Sequence, residues 1–363
     1  MIATARRSTR HRTSELLGVL LALALLAGAC GGAEDADGVG NGVASTDATA
    51  DDEDAGTGQG ETVSLVAMHG SSEDFIVLVP LAAWDVCAER GIEVEQRYAE
   101  EASTAIQAMS QGAVQIGTNI GVNVGVPAAN AGAEIVDVIA TQRPTWALAV
   151  RPDIETFADL DGARLAVHGE ASFTRAVADW YADNEGFEYQ QLVIPGSEVR
   201  AEALAQGEID ASVIDLPDVI QLGQVYPGEF EVLATIGETF PELIEQDIWF
   251  DAGWVADNRD LAVDVVTCLL EGIRRLRTDA EYALQLATET LPEVDPAVLE
   301  ETVAEYQARD IWPEDGLLTE QRAQETLDFF FSVGEIEIDP ATLELNEYFD
   351  FSLLEEALAE LDS

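Results

Sequence analysis

From residue 62 onward, short runs rich in β-branched and apolar residues alternate with longer runs of helical spacing, which predicts an α/β chain with largely parallel sheets. Val63 to Met68 reads as the first strand, and Phe75 to Glu89 follows with apolar residues at Phe75, Ile76, Val79, Ala83 and Val86, a helical repeat. Ile92 to Tyr98, Ser103 to Gln111 and Val114 to Thr118 continue as strand, helix and strand. Farther along, Ile135 to Ala140, Trp146 to Val150 and Trp249 to Val255 are apolar and extended, and helices are predicted over Asp260 to Arg277, Asp279 to Leu291, Asp295 to Arg309 and Thr319 to Val333. Asp stands at several of these starts, where its carboxylate suits an N-cap. Apolar residues at Leu261, Val265, Leu269, Ile273 and Leu276 give the late helices a covering and bracing role, and Arg274, Arg275 and Arg277 fall in a last turn where cations suit the helix dipole.

Compared with itself, the chain repeats. Gln107 to Gly117 reads QAMSQGAVQIG and Glu202 to Ser212 reads EALAQGEIDAS, a helix, Gln-Gly turn and strand at a constant offset of 95. Upstream, Ala67-Met68-His69-Gly70-Ser71 resembles Ala166-Val167-His168-Gly169, with Ser172 a little later. Two similar α/β units in tandem can be separate domains or the paired lobes of one clamshell. The apolar segments on either side of Thr141 to Thr145, and the run at Trp249, are placed to cross between lobes and favour the clamshell. The expected organisation is lobe one beginning at 61–140, hinge and lobe two at 141–248, and a return strand with C-terminal helices packing on lobe one at 249–363.

The hydrophobic pattern changes character before residue 62. Arg6, Arg7, Arg10 and Arg12 precede an apolar run of 11 residues from Leu16 to Leu26. A span of the bilayer core needs about 20 residues, so this run reads as a removable signal peptide over 1–29. Ala27-Gly28-Ala29-Cys30 resembles a lipobox, with Ala27 where Leu or Val is usual, and implies a lipid thioether on Cys30. Residues 31–60 hold no aromatic residue and only small, polar and acidic ones beside Val, so 30–60 is expected to be a lipid-anchored, disordered acidic tether. The roughly 300 residues that remain suffice for a substantial core.

Charge narrows the partners. The chain carries 70 acids against 17 bases, every base an Arg, for a net charge of -53. Such a surface repels nucleic acid and anionic headgroups, and a high-salt habitat or an Arg-for-Lys genome composition explains it in preference to a binding role for the acids. With Cys30 given to lipid, Cys87 and Cys268 remain in an oxidising compartment that permits a disulfide. Both lie on apolar helical faces, so two buried thiols are the equal alternative.

From Val63 to Arg277 the chain resembles the substrate-binding lipoproteins of ABC importers, in particular the SsuA and TauA group of sulfonate, taurine and nitrate binders together with the thiamine-pyrimidine binders. The residues that carry the resemblance are Asp159-Leu160-Asp161-Gly162-Ala163-Arg164-Leu165-Ala166-Val167 and Ala203-Leu204-Ala205-Gln206-Gly207-Glu208-Ile209-Asp210-Ala211. Asp215-Leu216-Pro217 stands where that family often has Trp-Glu-Pro, and His168-Gly169 where it has small residues. The resemblance implies a type II periplasmic-binding-protein clamshell that is monomeric, needs no cofactor and sits lipid-anchored on the outer face of the cell membrane. It would hand a small solute to a permease and its ATPase.

In open parallel sheets ligands bind beyond the carboxyl ends of the strands, which nominates His69, Ser71, Ser72, Phe75, Thr118 and Asn119 from lobe one. Lobe two offers His168, Ser172, Phe173, Thr174 and Asp215. Hydroxyls at helix starts could hold an oxyanion or serve as plain N-caps. Arg143, on the presumed hinge, could pair with an anion or form a surface salt bridge. With His11 in the leader, the two remaining histidines occupy the matching loop of each lobe, so they are expected to face each other across the cleft and to titrate near pH 6.5. No metal site is expected, since no local spacing of the H-x-x-x-H kind occurs. Phe173 and Trp146 could wall an apolar part of the solute. Two other functions compete. A related fungal thiamine-pyrimidine synthase relies on a cysteine-rich motif that this chain lacks, and a sensor could use the same clamshell without transport.

Overall fold

The structure is a computed structural model that describes residues 62–71, 74–170 and 172–362. The predicted leader, the lipobox cysteine Cys30, the tether and Ser72 lie outside the described residues.

Lobe one begins with β1 (Val63–His69), whose alternate residues Leu65, Ala67 and His69 are buried. The Phe75–Glu89 run divides in two: Asp74 caps a short 3-10 turn at Phe75–Val77, and α1 (Leu78–Glu89) follows. Then come β2 (Ile92–Tyr98), α2 (Ala102–Ser110), β3 (Ile116–Thr118), α3 (Val122–Asn130) and β4 (Ile135–Gln142). The chain crosses to lobe two and forms β5 (Ala147–Val150), β6 (Arg164–Val167), α4 (Phe173–Glu185), β7 (Gln190–Val193), α5 (Ser197–Ala205), β8 (Ala211–Ile214), α6 (Leu216–Val225), β9 (Glu231–Thr235) and α7 (Ile236–Thr239). It returns through β10 (Gln246–Asp251) and α8 (Ala252–Asp257) to α9 (Arg259–Thr278), α10 (Ala280–Thr290), α11 (Pro296–Ala308), α12 (Glu320–Ser332) and α13 (Phe351–Leu361).

Among the described residues there are two five-stranded sheets, ordered β2-β1-β3-β10-β4 and β7-β6-β8-β5-β9. In each, three parallel strands are followed by one antiparallel strand from a crossing segment: β10 pairs with β3 and β4 in the first sheet, and β5 with β8 and β9 in the second. The repeat is structural as well as written in the sequence, since α2 and α5, and the starts of β3 and β8, lie at the same offset of 95 residues. The fold is the two-lobed α/β clamshell that this duplication implies.

The expected strand at Trp249–Val255 is corrected. β10 starts three residues earlier and stops at Asp251, whose carboxylate accepts the Trp254 N–H at 2.7 Å and opens α8. An aspartate at an N-cap wins over the apolar composition that follows it. The third strand also shortens from Val114–Thr118 to Ile116–Thr118.

The C-terminal helices brace lobe one. α1 packs against β2 and α9, and the Gly272 Cα comes so close that an added Cβ would meet the Ala83 nitrogen at 2.6 Å. The Cys87 and Cys268 sulfurs are bonded, joining α1 to α9 with their Cα atoms 5.4 Å apart. α11 also reaches the other lobe, where Gln224 of α6 donates to Glu301 at 2.7 Å. No helix among the described residues is long and apolar enough to cross a membrane.

Candidate functional site

The parallel strands β1, β3, β6 and β8 end at His69, Thr118, Val167 and Ile214, and a cleft of about 620 Å³ opens beside the loops that follow them. That volume falls in the range of small-molecule sites. Of the residues nominated from the sequence, the cleft brings together Ser71, Phe75, Asn119, His168, Ser172, Phe173, Thr174 and Asp215, and Trp146 joins them.

His69, Thr118 and Arg143 are not among its walls. His69 is wholly buried, with Nδ1 2.8 Å from Thr118 Oγ1 and Nε2 3.3 Å from Asp74 Oδ1. With the Nε2–H tautomer, the ring donates to the carboxylate and accepts the Thr118 hydroxyl, which spends both nitrogens inside lobe one. The expected pair of histidines across the cleft is therefore replaced by one. His168 stays at the rim, where its Nδ1 accepts the Gly196 N–H at 3.4 Å. Partial burial and the nearby Arg200 charge hold its imidazole below the ordinary value. Arg143 turns away: its Nε–H donates to the Asp310 carbonyl at 3.0 Å, Nη2 lies 3.5 Å from Asp310 Oδ2, and its side chain borders a separate cavity behind the crossing segment. The salt bridge is its role in the fold.

The predicted hydroxyls are engaged in local structure. Ser172 Oγ donates to the Gly169 carbonyl at 2.8 Å and accepts the Arg175 N–H as the N-cap of α4. Thr174 Oγ1 accepts the His168 N–H at 2.8 Å. On lobe one, Asn119 Nδ2 donates to Ser71 Oγ at 2.9 Å, and Ser71 Oγ donates to Asp74 Oδ2 at 2.6 Å. Asn119 holds this place with φ +57, a left-handed conformation that its short polar side chain tolerates.

Several cleft groups escaped the sequence. Asp74 caps the Phe75 turn through the Ile76 and Val77 N–H groups at 3.0 and 3.2 Å. Asp215 was foreseen, but not its surroundings: its Oδ1 accepts from Thr145 Oγ1 at 2.5 Å and from Leu216 N at 2.8 Å. Burial pushes the Asp215 carboxyl up to about 7. Glu245 stands behind it, receives the Trp146 indole N–H, and is pushed by burial and by Asp215 up to about 8. Arg200 of α5 is wholly buried and donates to Ser212 Oγ, Ile194 O, Gly196 O and Val213 O at 2.9–3.1 Å. Burial lowers it to about 10. Gln246 of β10 and Thr302 of α11 also border the cleft, and Gln246 Oε1 and Thr302 Oγ1 are buried with no hydrogen-bond partner. Nothing local in the sequence marks a glutamine or a helical threonine that comes from 100 residues or more beyond the hinge. Among the described residues, no group of three or more His, Cys, Asp or Glu is placed to hold a metal.

Comparison with known proteins follows the geometry. The model of the NMT1/THI5-like family matches residues 87–281, more than half of the chain. No curated protein matches by sequence. Among solved structures, the aliphatic sulphonate-binding protein SsuA from Escherichia coli is similar at TM-score 0.62 and 18% identity, over 78% of this chain and 91% of that one. The nitrate-binding protein NrtA from Synechocystis PCC 6803 is similar at TM-score 0.64 and 12% identity, over 83% and 90%. A zinc-bound ligand-binding component of an ABC-type import system from Staphylococcus aureus is similar at TM-score 0.66 and 10% identity, over 81% and 99%. These likenesses are those of the periplasmic-binding-protein fold, and the chain belongs to the NMT1/THI5-like family.

Proposed function

Taking that family as premise, we propose that the chain is an extracytoplasmic solute-binding lipoprotein, which captures a small solute between its lobes and delivers it to the permease and ATPase of an ABC importer. The observation that carries this reading is the cleft itself: about 620 Å³, bordered by both lobes and by α11, at the carboxyl ends of the parallel strands. The crossing at residues 143–146 and the return between β9 and β10 supply two covalent connections about which the lobes can move, and hinge closure around a ligand is the common response of such an arrangement. A solute that touches both lobes favours the closed form by its differential affinity for it.

No chemistry on the solute is needed. The lipid on Cys30 and the acidic tether keep the clamshell near the membrane and leave the monomer free to meet its permease. Uptake tests the whole reading: parent and gene-deletion cells are compared for import of radiolabelled amines, pyrimidines, sulfonates, carboxylates and nitrate. Loss of uptake for one class, restored by the wild-type chain but not by Thr302→Trp or Cys30→Ser, is the expected result. Equal uptake of every class in parent and deletion cells would overturn it.

A further inference from the structure

The charge and hydrogen-bonding capacity of the cleft identify the class of solute. An oxyanion needs N–H groups or a free cation; the Phe75 turn, α4 and α6 are capped by the protein's own side chains and Arg200 is committed, while α5, behind Gly196, has no side-chain cap. The turn at Phe75 is capped by Asp74, and α6 is capped by Asp215, so two helix starts beside the cleft carry the protein's own carboxylates where an anion would sit. The N-cap hydroxyl of α4 is likewise occupied by Arg175 N. Arg200 gives four of its five N–H donors to protein oxygens and pins α5 to β8, which makes it part of the wall.

Acceptors are what the cleft has to spare. Asp74, Glu198, Asp215 and Asp218 border it against the single Arg200. Independently of those acids, Gln246 Oε1 and Thr302 Oγ1 lie buried on the cleft wall without partners, Gln246 being 7% exposed and Thr302 0%. A buried acceptor left without a donor costs stability, so a solute that donates to it recovers that cost. Beside Thr302, Val294, Val298 and Leu299 give an apolar surface, and Phe173 and Trp146 stand on the lobe-two side with ring centroids 6.1 Å apart. The chain's net charge of -53 draws cations toward such a site.

We propose that the solute is a small organic cation, a protonated amine or amidine on an apolar body, whose N–H groups are received by Asp215, Gln246 Oε1 and Thr302 Oγ1. This rests on the capture reading above and narrows it. Similarity to sulfonate- and nitrate-binding structures concerns the fold, and in this chain four acids border the cleft against one Arg.

Isothermal titration of the full mature protein with two matched pairs of probes tests it: benzylammonium against benzoate, and benzamidinium against benzenesulfonate. At least one cation should bind tenfold or more tightly than its anionic partner. Thr302→Val and Asp218→Asn should each weaken that binding about fivefold or more while leaving the melting temperature within a few degrees. Tighter binding of either anion, lost in Thr302→Trp, would overturn the cation assignment and leave solute capture standing. Binding of none of the four probes would overturn the cation assignment and leave solute capture to the uptake test, and cation binding unchanged in Thr302→Val and Asp218→Asn would place the cation elsewhere and overturn the site.

Discussion

Asp215 follows β8, caps α6 and borders the cleft, and burial pushes its carboxyl up to about 7. Burial, and then the like charges of Asp218 and Asp74, oppose its ionisation, while Thr145 and the Leu216 N–H support the ionised form. The folded protein therefore keeps protons on Asp215, at about 7, and Glu245, at about 8, that an unfolded chain releases in the ordinary carboxylate range. Because the native state binds more protons between those limits, stability falls as pH rises from about 4 to about 8. Asp215→Asn mimics the protonated form and should flatten part of that fall, measured as urea midpoints at pH 5 and pH 8; an unchanged pH slope would show that Asp215 does not titrate in this window. The same ionisation strengthens the hold on a cation, so benzamidinium affinity should rise as pH goes from 6 to 8 in the wild type and rise less in Asp215→Asn, where Glu245 still titrates. Asp215 was legible from the strand that precedes it and the Pro217 that follows. His69 was misread because a histidine at a strand end looks the same in sequence whether it meets a ligand or is locked by an aspartate five residues on.

At the scale of elements, the internal repeat was the strongest guide, since helix, Gln-Gly turn and strand recur at one offset in both lobes. α3 was not foreseen: it holds Gly125 and Pro127, poor helix formers, and is held by tertiary packing in which Trp249 lies against Gly125. α11 was read as a brace because periodicity reports that one face is apolar without reporting which neighbour covers it. The pairing of α1 with α9 yields two predictions. Gly272→Val places a side chain into the Ala83 backbone and should destabilise by about 1–3 kcal/mol or more, read as a lowered urea midpoint. The Cys87–Cys268 bond closes a sequence separation of 181, so Cys87→Ala with Cys268→Ala should lose about 2–5 kcal/mol, and reductant should lower the wild-type melting temperature but not that of the double variant.

For the molecule as a whole, two lobes built from one repeated unit enclose a cleft that neither lobe completes alone, and α11 supplies part of its wall from the far end of the chain. The fold was readable because alternating elements and the duplication are long-range regularities. The chemistry of the cleft was not, because Arg200, Gln246 and Thr302 acquire their roles only through burial. Solute capture in this cleft is tested most directly by thermal shift of the mature protein across amines, amidines, pyrimidines, sulfonates, carboxylates and nitrate, beside Thr302→Trp, whose indole occupies the cleft. At a hundredfold excess over Kd a ligand adds about 2.7 kcal/mol, so a bound solute should raise the wild-type melting temperature by on the order of 5 °C or more and leave Thr302→Trp unmoved. No shift with any class, or the same shift in Thr302→Trp, would contradict capture in the cleft.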